Sequence, residues 1–201
     1  DGNKATYTAS YNYGIYLYLS SNNTVTGNTC NNNSRSIYLD SSSNNTVTGN
    51  TCNNNNNGIR LTSSSDNTVT GNTCNNNGDG IYLHSSSDNT VTGNTCNNNG
   101  DNGIRLTSSS DNTVTGNACN DNSISGICLY SSNNDNTVTG NTCNNNDNGI
   151  CLSSSSDNTI TGNTCIRGTG QTSDYTSDQY TIRLQGTDNN YNLISLNNCM
   201  G

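Results

Sequence analysis

Residues Ser63–Leu83 read SSSDNTVTGNTCNNNGDGIYL, and variants of this stretch recur along the chain with a period of about 22 residues. The phrase NTVTGNTC first begins at Asn23 and returns seven more times in related forms, the last being NLISLNNC from Asn192. A second phrase, Ile-x-Leu, lies between successive copies and usually follows a glycine. Each period therefore holds two short runs rich in Thr, Val, Ile and Tyr, separated by Asn, Gly and Ser turns. This pattern predicts two β-strands per repeat.

Alternation within these runs assigns their two faces, with Val25 pointing inward while Thr24 and Thr26 point outward. Each repeat contributes only about four inward apolar side chains, which is too little to offset the entropy of ordering some 22 residues. The coils must therefore stack, with each strand hydrogen-bonded to its equivalents about 4.8 Å above and below. The sequence predicts an all-β solenoid of about eight coils, in which Asn side chains at fixed turn positions form ladders.

Composition excludes several classes of partner. The chain has 201 residues and a net charge of −8, and only six of its residues are Lys or Arg. Nucleic-acid binding needs clustered basic residues that neutralise phosphates, so no nucleic-acid partner is expected. No apolar run reaches the roughly 18 residues of a transmembrane helix, so no membrane span is expected.

The unit quoted above resembles the repeat of NosD-type proteins, which occurs in archaeal and bacterial surface proteins, and the resemblance runs from about Asn12 to Cys199. It implies a right-handed parallel β-helix. We expect a single domain over residues 1–201, with an N-terminal strand or cap at 1–14 and an insertion at 166–181 before the last coil. The repeated Cys departs from the family, which usually carries Ile, Val or Ala there. The family is named for copper maturation, but the repeat itself carries no metal chemistry, so only the fold is transferred.

Cysteines occupy two kinds of repeat position. The Cys that ends each first phrase is predicted to form a buried ladder of inert thiols, with disulfides as the alternative. This ladder comprises Cys30, Cys52, Cys74, Cys96, Cys119, Cys143, Cys165 and Cys199. Cys128 and Cys151 instead fill the outward x of Ile-x-Leu on adjacent coils, and they are the disulfide candidate.

Turn residues suggest two further kinds of site. An acidic column precedes the Thr rows and is a candidate Ca²⁺ site, although each Asp could simply stabilise its own turn. It comprises Asp66, Asp88, Asp111, Asp135 and Asp157. Glycosylation sequons are headed by Asn22, Asn32 and Asn44.

The outward threonines form two predicted rows whose spacing resembles the ice-binding face of insect β-helical antifreeze proteins, although Thr is also common on solvent-facing strands. The rows comprise Thr24, Thr26, Thr46, Thr48, Thr68, Thr70, Thr90, Thr92, Thr113, Thr115, Thr137, Thr139, Thr159 and Thr161.

The outward x of Ile-x-Leu is mostly Tyr or Arg, residue types that suit protein interfaces, carbohydrate contacts and cation–π stacking. Evidence for catalysis is weak at the sequence level, since the chain has no Glu and its only His is His84, whose neighbours along the column are Thr62 and Thr107. We therefore predict no catalytic residues and no enzyme.

The favoured function is a non-enzymatic extracellular structural protein, a β-solenoid subunit that stacks head to tail into a surface filament or layer. An ice-binding protein that uses the Thr rows is one alternative, and a carbohydrate-binding or carbohydrate-active β-helix is the other. The expected partners are further copies of the chain and glycans, the expected location is the cell surface, and Ca²⁺ is the only cofactor considered.

Overall fold

The chain folds as a parallel β-helix in the computed structural model, which describes residues 12–167 and 179–200. These residues form eighteen β-strands and no helix, and so include no helix that is long and apolar enough to cross a membrane. The expected all-β parallel solenoid is confirmed. The expected N-terminal cap lies largely outside the described residues, as does most of the expected insertion.

One side of the coil is an eight-stranded parallel sheet, here called the long-strand sheet, in which every strand has six residues. Its strands, in spatial order, are β1 (Tyr13–Tyr18), β3 (Arg35–Asp40), β5 (Asn57–Thr62), β7 (Asp79–His84), β9 (Asn102–Thr107), β11 (Ser125–Tyr130), β13 (Asn148–Ser153) and β16 (Tyr180–Gln185). The Ile and Leu of each Ile-x-Leu phrase pair in register with those of the next coil.

A second eight-stranded parallel sheet, the short-strand sheet, is built from the Thr-x-Thr runs. Its strands are β2 (Thr24–Thr26), β4 (Thr46–Thr48), β6 (Thr68–Thr70), β8 (Thr90–Thr92), β10 (Thr113–Thr115), β12 (Thr137–Thr139), β14 (Thr159–Thr161) and β17 (Leu193–Ser195). A third side is held by single bridges such as Thr51↔Thr73, and it ends in the pair β15 (Thr164–Ile166) and β18 (Asn198–Met200).

The core is one continuous cluster of Val, Cys, Ile and Leu columns. A typical coil contributes Val69, Cys74, Ile81 and Leu83, and none of these side chains is exposed. This matches the four inward side chains per repeat read from the alternation. A core one coil wide suffices because every strand gains hydrogen bonds from both neighbours.

In six of the eight Ile-x-Leu phrases a glycine precedes the Ile, and it faces the core beside the Cys column. At Gly103, an added Cβ would lie 2.9 Å from Cys119 Cβ and 2.6 Å from the Gly126 carbonyl oxygen. Because Gly103 and Ile104 both face inward, the strand bends at this point. The residue before the glycine, Asn102, therefore belongs to the outer face.

Asparagine ladders connect the turns of successive coils. In the predicted ladder, Asn72 donates from its backbone N–H and its Nδ2 to Asn94 Oδ1, at 2.9 and 3.0 Å. Its Nδ2 also donates to the Val47 and Thr70 carbonyl oxygens. A second ladder runs through Asn67 and its equivalents, and a third through Asn77 and its equivalents. The buried side-chain amides of these ladders therefore have hydrogen-bond partners within a core that is otherwise apolar.

Candidate functional site

Three columns of side chains cover the outer face of the long-strand sheet. They arise from the first, fourth and sixth residue of each strand, and we call them the first, middle and last columns. The first column is Tyr13, Arg35, Asn57, Asp79, Asn102, Ser125, Asn148 and Tyr180. The middle column is Tyr16, Tyr38, Arg60, Tyr82, Arg105, Cys128, Cys151 and Arg183. The last column is Tyr18, Asp40, Thr62, His84, Thr107, Tyr130, Ser153 and Gln185.

Aromatic rings gather at the N-terminal end of this face. The Tyr16 and Tyr38 rings stack with centroids 5.1 Å apart, and Tyr13 lies 4.9 Å from Tyr16. Arg35 lies 4.5 Å over the Tyr38 ring and donates to Tyr13 Oη at 2.9 Å. Partial desolvation and the Asp40 carboxylate raise the pKa of Tyr16 to about 12, so the phenol stays protonated.

Two arginines enclose a tyrosine at the middle of the face. The Arg60 and Arg105 guanidinium carbons lie 4.8 and 5.1 Å from the centre of the Tyr82 ring. Their Nε atoms donate to the hydroxyls of Thr62 and Thr107, at 3.2 and 3.3 Å. Because both hydrogen-bond partners are uncharged, the positive charge of each guanidinium stays available to an anion.

His84 lies beside this arginine pair, and its ring centroid is 6.0 Å from that of Tyr82. Its column neighbours are Thr62 and Thr107, as expected from the repeat. Desolvation, together with the charges of Arg60 and Arg105, lowers the pKa of His84. The imidazole is therefore neutral at neutral pH and can accept a proton.

Asp79 is a buried carboxylate on the same face, with only 5% of its surface exposed. Its Oδ1 accepts a hydrogen bond from Asn102 Nδ2 at 3.0 Å. Burial raises the pKa of Asp79, while the Asn102 hydrogen bond and the Arg105 charge oppose that shift.

Hydrogen-bonding capacity is left unused on this face. Among the described residues, four buried side-chain atoms have no hydrogen-bond partner: His84 Nδ1, Asn102 Oδ1, Ser125 Oγ and Asn148 Oδ1. All four residues lie on the outer face of the long-strand sheet, on the successive strands β7, β9, β11 and β13. Buried polar atoms normally find partners, so the unused hydrogen-bonding capacity of the described residues is concentrated beneath this one face.

The middle column carries Cys instead of Tyr or Arg at Cys128 and Cys151, which are register partners on β11 and β13. Cys128 is half-buried and Cys151 is only 3% exposed. The expectation that both are exposed is therefore corrected, because side chains of the neighbouring columns flank the small thiols. Both cysteines are free thiols in this structure.

The predicted Cys ladder lies in the core from Cys30 to Cys165, where exposure does not exceed 4%. Cys199 differs, because it is exposed on the last strand, β18, with no described coil beyond it. Burial raises the pKa of Cys74 and Cys96 well above that of a free thiol, which keeps these core thiols protonated.

The acidic column is exposed and each of its members has positive φ, as for Asp66 at 56° and Asp157 at 58°. Asp and Asn tolerate this left-handed conformation, which explains why one or the other occupies this turn in the coils from Asn22 to Asp157. Asn22, Asn32 and Asn44 are exposed as well. Calcium binding and glycosylation at these positions stay predictions.

The Thr rows form the outer face of the short-strand sheet in unbroken register from β2 to β14. Most of these threonines are half-buried by their neighbours, whereas Thr24 and Thr26 on the first strand are exposed. Ice binding by these rows stays a prediction.

The sequence does not by itself assign the first column to the outer face of the long-strand sheet. Simple alternation from Ile104 would turn Asn102 inward, whereas the bend at Gly103 turns it outward beside Asp79. The recurring glycine before Ile is the signal that could have revealed this bend.

The fold and this face define a parallel β-helix repeat protein with one chemically varied outer surface. A family model described as "Periplasmic copper-binding protein (NosD)" matches residues 1–199, so the chain belongs to the NosD family. The predicted resemblance is confirmed, and the family is described as periplasmic. Curated protein sequences give no match.

Solved structures of low sequence identity share the fold. The mannuronan C-5 epimerase AlgE4 A-module of Azotobacter vinelandii is 20% identical with a TM-score of 0.74, over 90% of this chain and 54% of that one. The periplasmic alginate epimerase AlgG is 18% identical with a TM-score of 0.65, over 92% and 49%. A DFA-IIIase variant from Arthrobacter chlorophenolicus A6, in complex with DFA-III, is 16% identical with a TM-score of 0.69, over 94% and 50%. This chain thus spans about half the length of these relatives.

These relatives correct two expectations. The favoured role of a non-enzymatic subunit that stacks head to tail is contradicted, and so is the expectation that the protein is not an enzyme, because the relatives are epimerases and a DFA-IIIase. The carbohydrate-active alternative agrees better with them. From the sequence, the Tyr and Arg column and His84 are separate features, whereas the long-strand sheet places them side by side on one face.

The family description names copper, and the described residues do not fit a copper site. No group of three or more His, Cys, Asp or Glu side chains in residues 12–167 and 179–200 could hold a metal ion. The core thiols lie between aliphatic side chains, and the single histidine has a tyrosine and threonines as its neighbours. We therefore derive no copper chemistry for this chain.

Proposed function

We propose that the protein is a carbohydrate-active β-helix that binds an acidic polysaccharide along the outer face of the long-strand sheet. The observation that carries this proposal is the set of arginines held over tyrosine rings on one face. Arg35, Arg60, Arg105 and Arg183 each lie 4.5 to 5.6 Å from a tyrosine ring centre.

The two residue types suit an acidic sugar polymer. A tyrosine ring offers an apolar surface for the C–H face of a sugar, and its hydroxyl can join the hydrogen bonding. A guanidinium can hold a carboxylate through two parallel hydrogen bonds. Four of the chain's six basic residues lie on this face although the net charge is −8, so the face concentrates its positive charge.

The shape of the face also suits a polymer. Eight in-register strands at the usual spacing give a surface about 34 Å long. Equivalent positions recur at every strand, so an extended sugar chain crossing the strands would meet a Tyr or Arg of the middle column on six of the eight strands.

The central group of Arg60, Tyr82, His84 and Arg105 supports proton abstraction next to a carboxylate as the reaction. Neutral His84 would accept the proton, and the two guanidinium groups would stabilise the charge that develops on the substrate carboxylate. Tyr82 would supply a proton from its phenol. The relatives named for mannuronan and alginate epimerisation favour this class of reaction, which we place outside the cytoplasm at the cell surface.

Binding of polymannuronate, with neutral mannan as the matched control polymer, tests the proposal by isothermal titration calorimetry at low and high salt. We expect polymannuronate to bind with an affinity that falls as salt rises, because the contacts are ionic. Replacing Arg60 and Arg105 together with Ala should weaken binding by about tenfold or more, or roughly 1.4 kcal/mol.

A control variant, Thr68→Ala with Thr70→Ala, alters the outer face of the short-strand sheet in the same coil and should leave binding unchanged. Deuterium uptake into the polymer in D2O, followed by NMR, reports proton abstraction, and His84→Gln should abolish the uptake while binding persists. Equal binding of both polymers, or binding that survives loss of both arginines, would contradict the proposal.

A further inference from the structure

Cys128 and Cys151 stand where the other coils carry Tyr or Arg in the middle column. The order along the column is Arg105, Cys128, Cys151, Arg183, and each member is the register partner of the next. The two thiols therefore lie on adjacent strands as register partners, between two arginine positions of the same column.

Two features separate this pair from the cysteines of the core. Cys128 is only half-buried, so a small reagent can reach it, whereas Cys74 and Cys96 are fully buried. The core thiols also pack within a cluster of Val, Ile, Leu and other Cys side chains, while the outer pair has Arg105 and Arg183 beside it in register.

The pair shares its protons unequally. Interaction with the Cys128 thiol, and then the charge of Arg183, lower the pKa of Cys151, while burial opposes them. The same interaction, and the burial of the pair, raise the pKa of Cys128, since its proton stays on after Cys151 has lost its own. When the pair loses its first proton, the negative charge therefore resides on Cys151, the base beside the accessible Cys128.

We propose that Cys128 and Cys151 form a reversible dithiol–disulfide site on the outer face, oxidised by a small-molecule disulfide. This inference does not rest on the proposed function. Strand partners are about 4.8 Å apart at Cα, which lies inside the range for disulfides, and a modest approach of the two Cβ atoms would allow the S–S bond to close.

The reaction proceeds by thiol–disulfide exchange. The Cys128 proton passes to the Cys151 thiolate, and the resulting Cys128 thiolate attacks one sulfur of the reagent, releasing the first reagent thiolate. Cys151 then transfers its proton to that thiolate and attacks the Cys128 sulfur of the mixed disulfide, releasing the second. Overall, one protein thiol and one protein thiolate are oxidised to one disulfide, while the reagent disulfide is reduced to one thiol and one thiolate.

Oxidised glutathione is the probe, used on the folded full chain in a Cys199→Ser background that removes the exposed third thiol. After native oxidation, the remaining thiols are alkylated in denaturant and the peptides are analysed by mass spectrometry. We expect a Cys128–Cys151 disulfide, no glutathione adduct at equilibrium, and full reversal by dithiothreitol.

Single variants separate the outer pair from the core thiols. Cys128→Ser should abolish oxidation, and Cys151→Ser should trap a glutathione adduct on Cys128. The matched core variant Cys74→Ser should leave oxidation unchanged, with circular dichroism confirming that each variant is folded. Absence of oxidation, a persistent adduct in the parent protein, or bonds formed among the core thiols instead would overturn the proposal.

Discussion

The outer faces of the two large sheets differ although their backbones repeat in the same register. On the short-strand sheet, seven successive strands present the same two threonines outward. On the long-strand sheet, the middle column varies among Tyr, Arg and Cys, and the flanking columns include Asp40, Asp79 and His84. Both sheets cover the same core, so packing cannot explain the difference.

This contrast separates the scaffold of the solenoid from its candidate site. Residues that must repeat for stacking to work, such as the core Val, the ladder Asn and the glycine before Ile, are nearly constant from coil to coil. Side chains that face solvent are free of that constraint. Chemistry that no stacking rule requires is concentrated on the long-strand sheet, and the partnerless buried polar atoms found in the described residues lie there too.

The largest effect should come from breaking the scaffold that both faces share. Asn94→Ala removes hydrogen bonds to the Val69 and Thr92 carbonyl oxygens and leaves two buried donors of Asn72 without their acceptor. We expect the free energy of unfolding to fall by about 4 kcal/mol, measured by chemical denaturation. Thr92→Ala, on the Thr face of the same coil, should change it by less than about 0.5 kcal/mol. Similar losses for both variants would contradict the distinction.

A smaller effect is expected from the glycine that turns the first column outward. Gly103→Ala places a Cβ 2.9 Å from Cys119 Cβ and 2.6 Å from a backbone oxygen, so the coil must shift. We expect a loss of about 2 kcal/mol in the free energy of unfolding, because overpacking typically costs 1–3 kcal/mol.

Gly100→Ala is the matched control, since the only atom near its added Cβ is the Asn77 carbonyl oxygen at 3.6 Å. Its unfolding midpoint in denaturant should stay close to that of the parent. If both variants lose equal stability, close packing behind the long-strand sheet is not what requires glycine at position 103.

The smallest effect concerns the protonation of His84. Burial and two arginines lower its pKa below the ordinary value of about 6.5, and its neutral form is the proposed base. Turnover of the polysaccharide should therefore decline toward low pH with a midpoint below that ordinary value, and by about tenfold per pH unit below the midpoint. Arg60→Ala should move the decline toward higher pH, because one cause of the lowered pKa is gone. If turnover declines at the same pH in the variant as in the parent, a group other than His84 causes the decline.

The sequence predicted the coil, its strands and its core because repetition converts spacing into register. Val69 and Leu83 could be placed inside from alternation alone, and the Asn72 ladder followed from stacking equal positions. The outward turn of Asp79 and Asn102 could not be read in this way, since it depends on a bend at the following glycine. The repeat phrase of Cys199 resembles that of the buried cysteines and so predicts a buried thiol, whereas Cys199 is exposed on β18, which among the described strands pairs with β15.

The amino-acid sequence by itself determined the class of fold, since a period near 22 with two alternating strand runs has few ways to bury its apolar residues other than a stacked coil. It also determined which residues share a column. Only the tertiary structure decided which columns come together on one face, how far each side chain is buried, and which polar atoms lack partners. The physical reason is that register follows from local periodicity, whereas contacts between columns depend on where the strand bends and how neighbouring side chains pack.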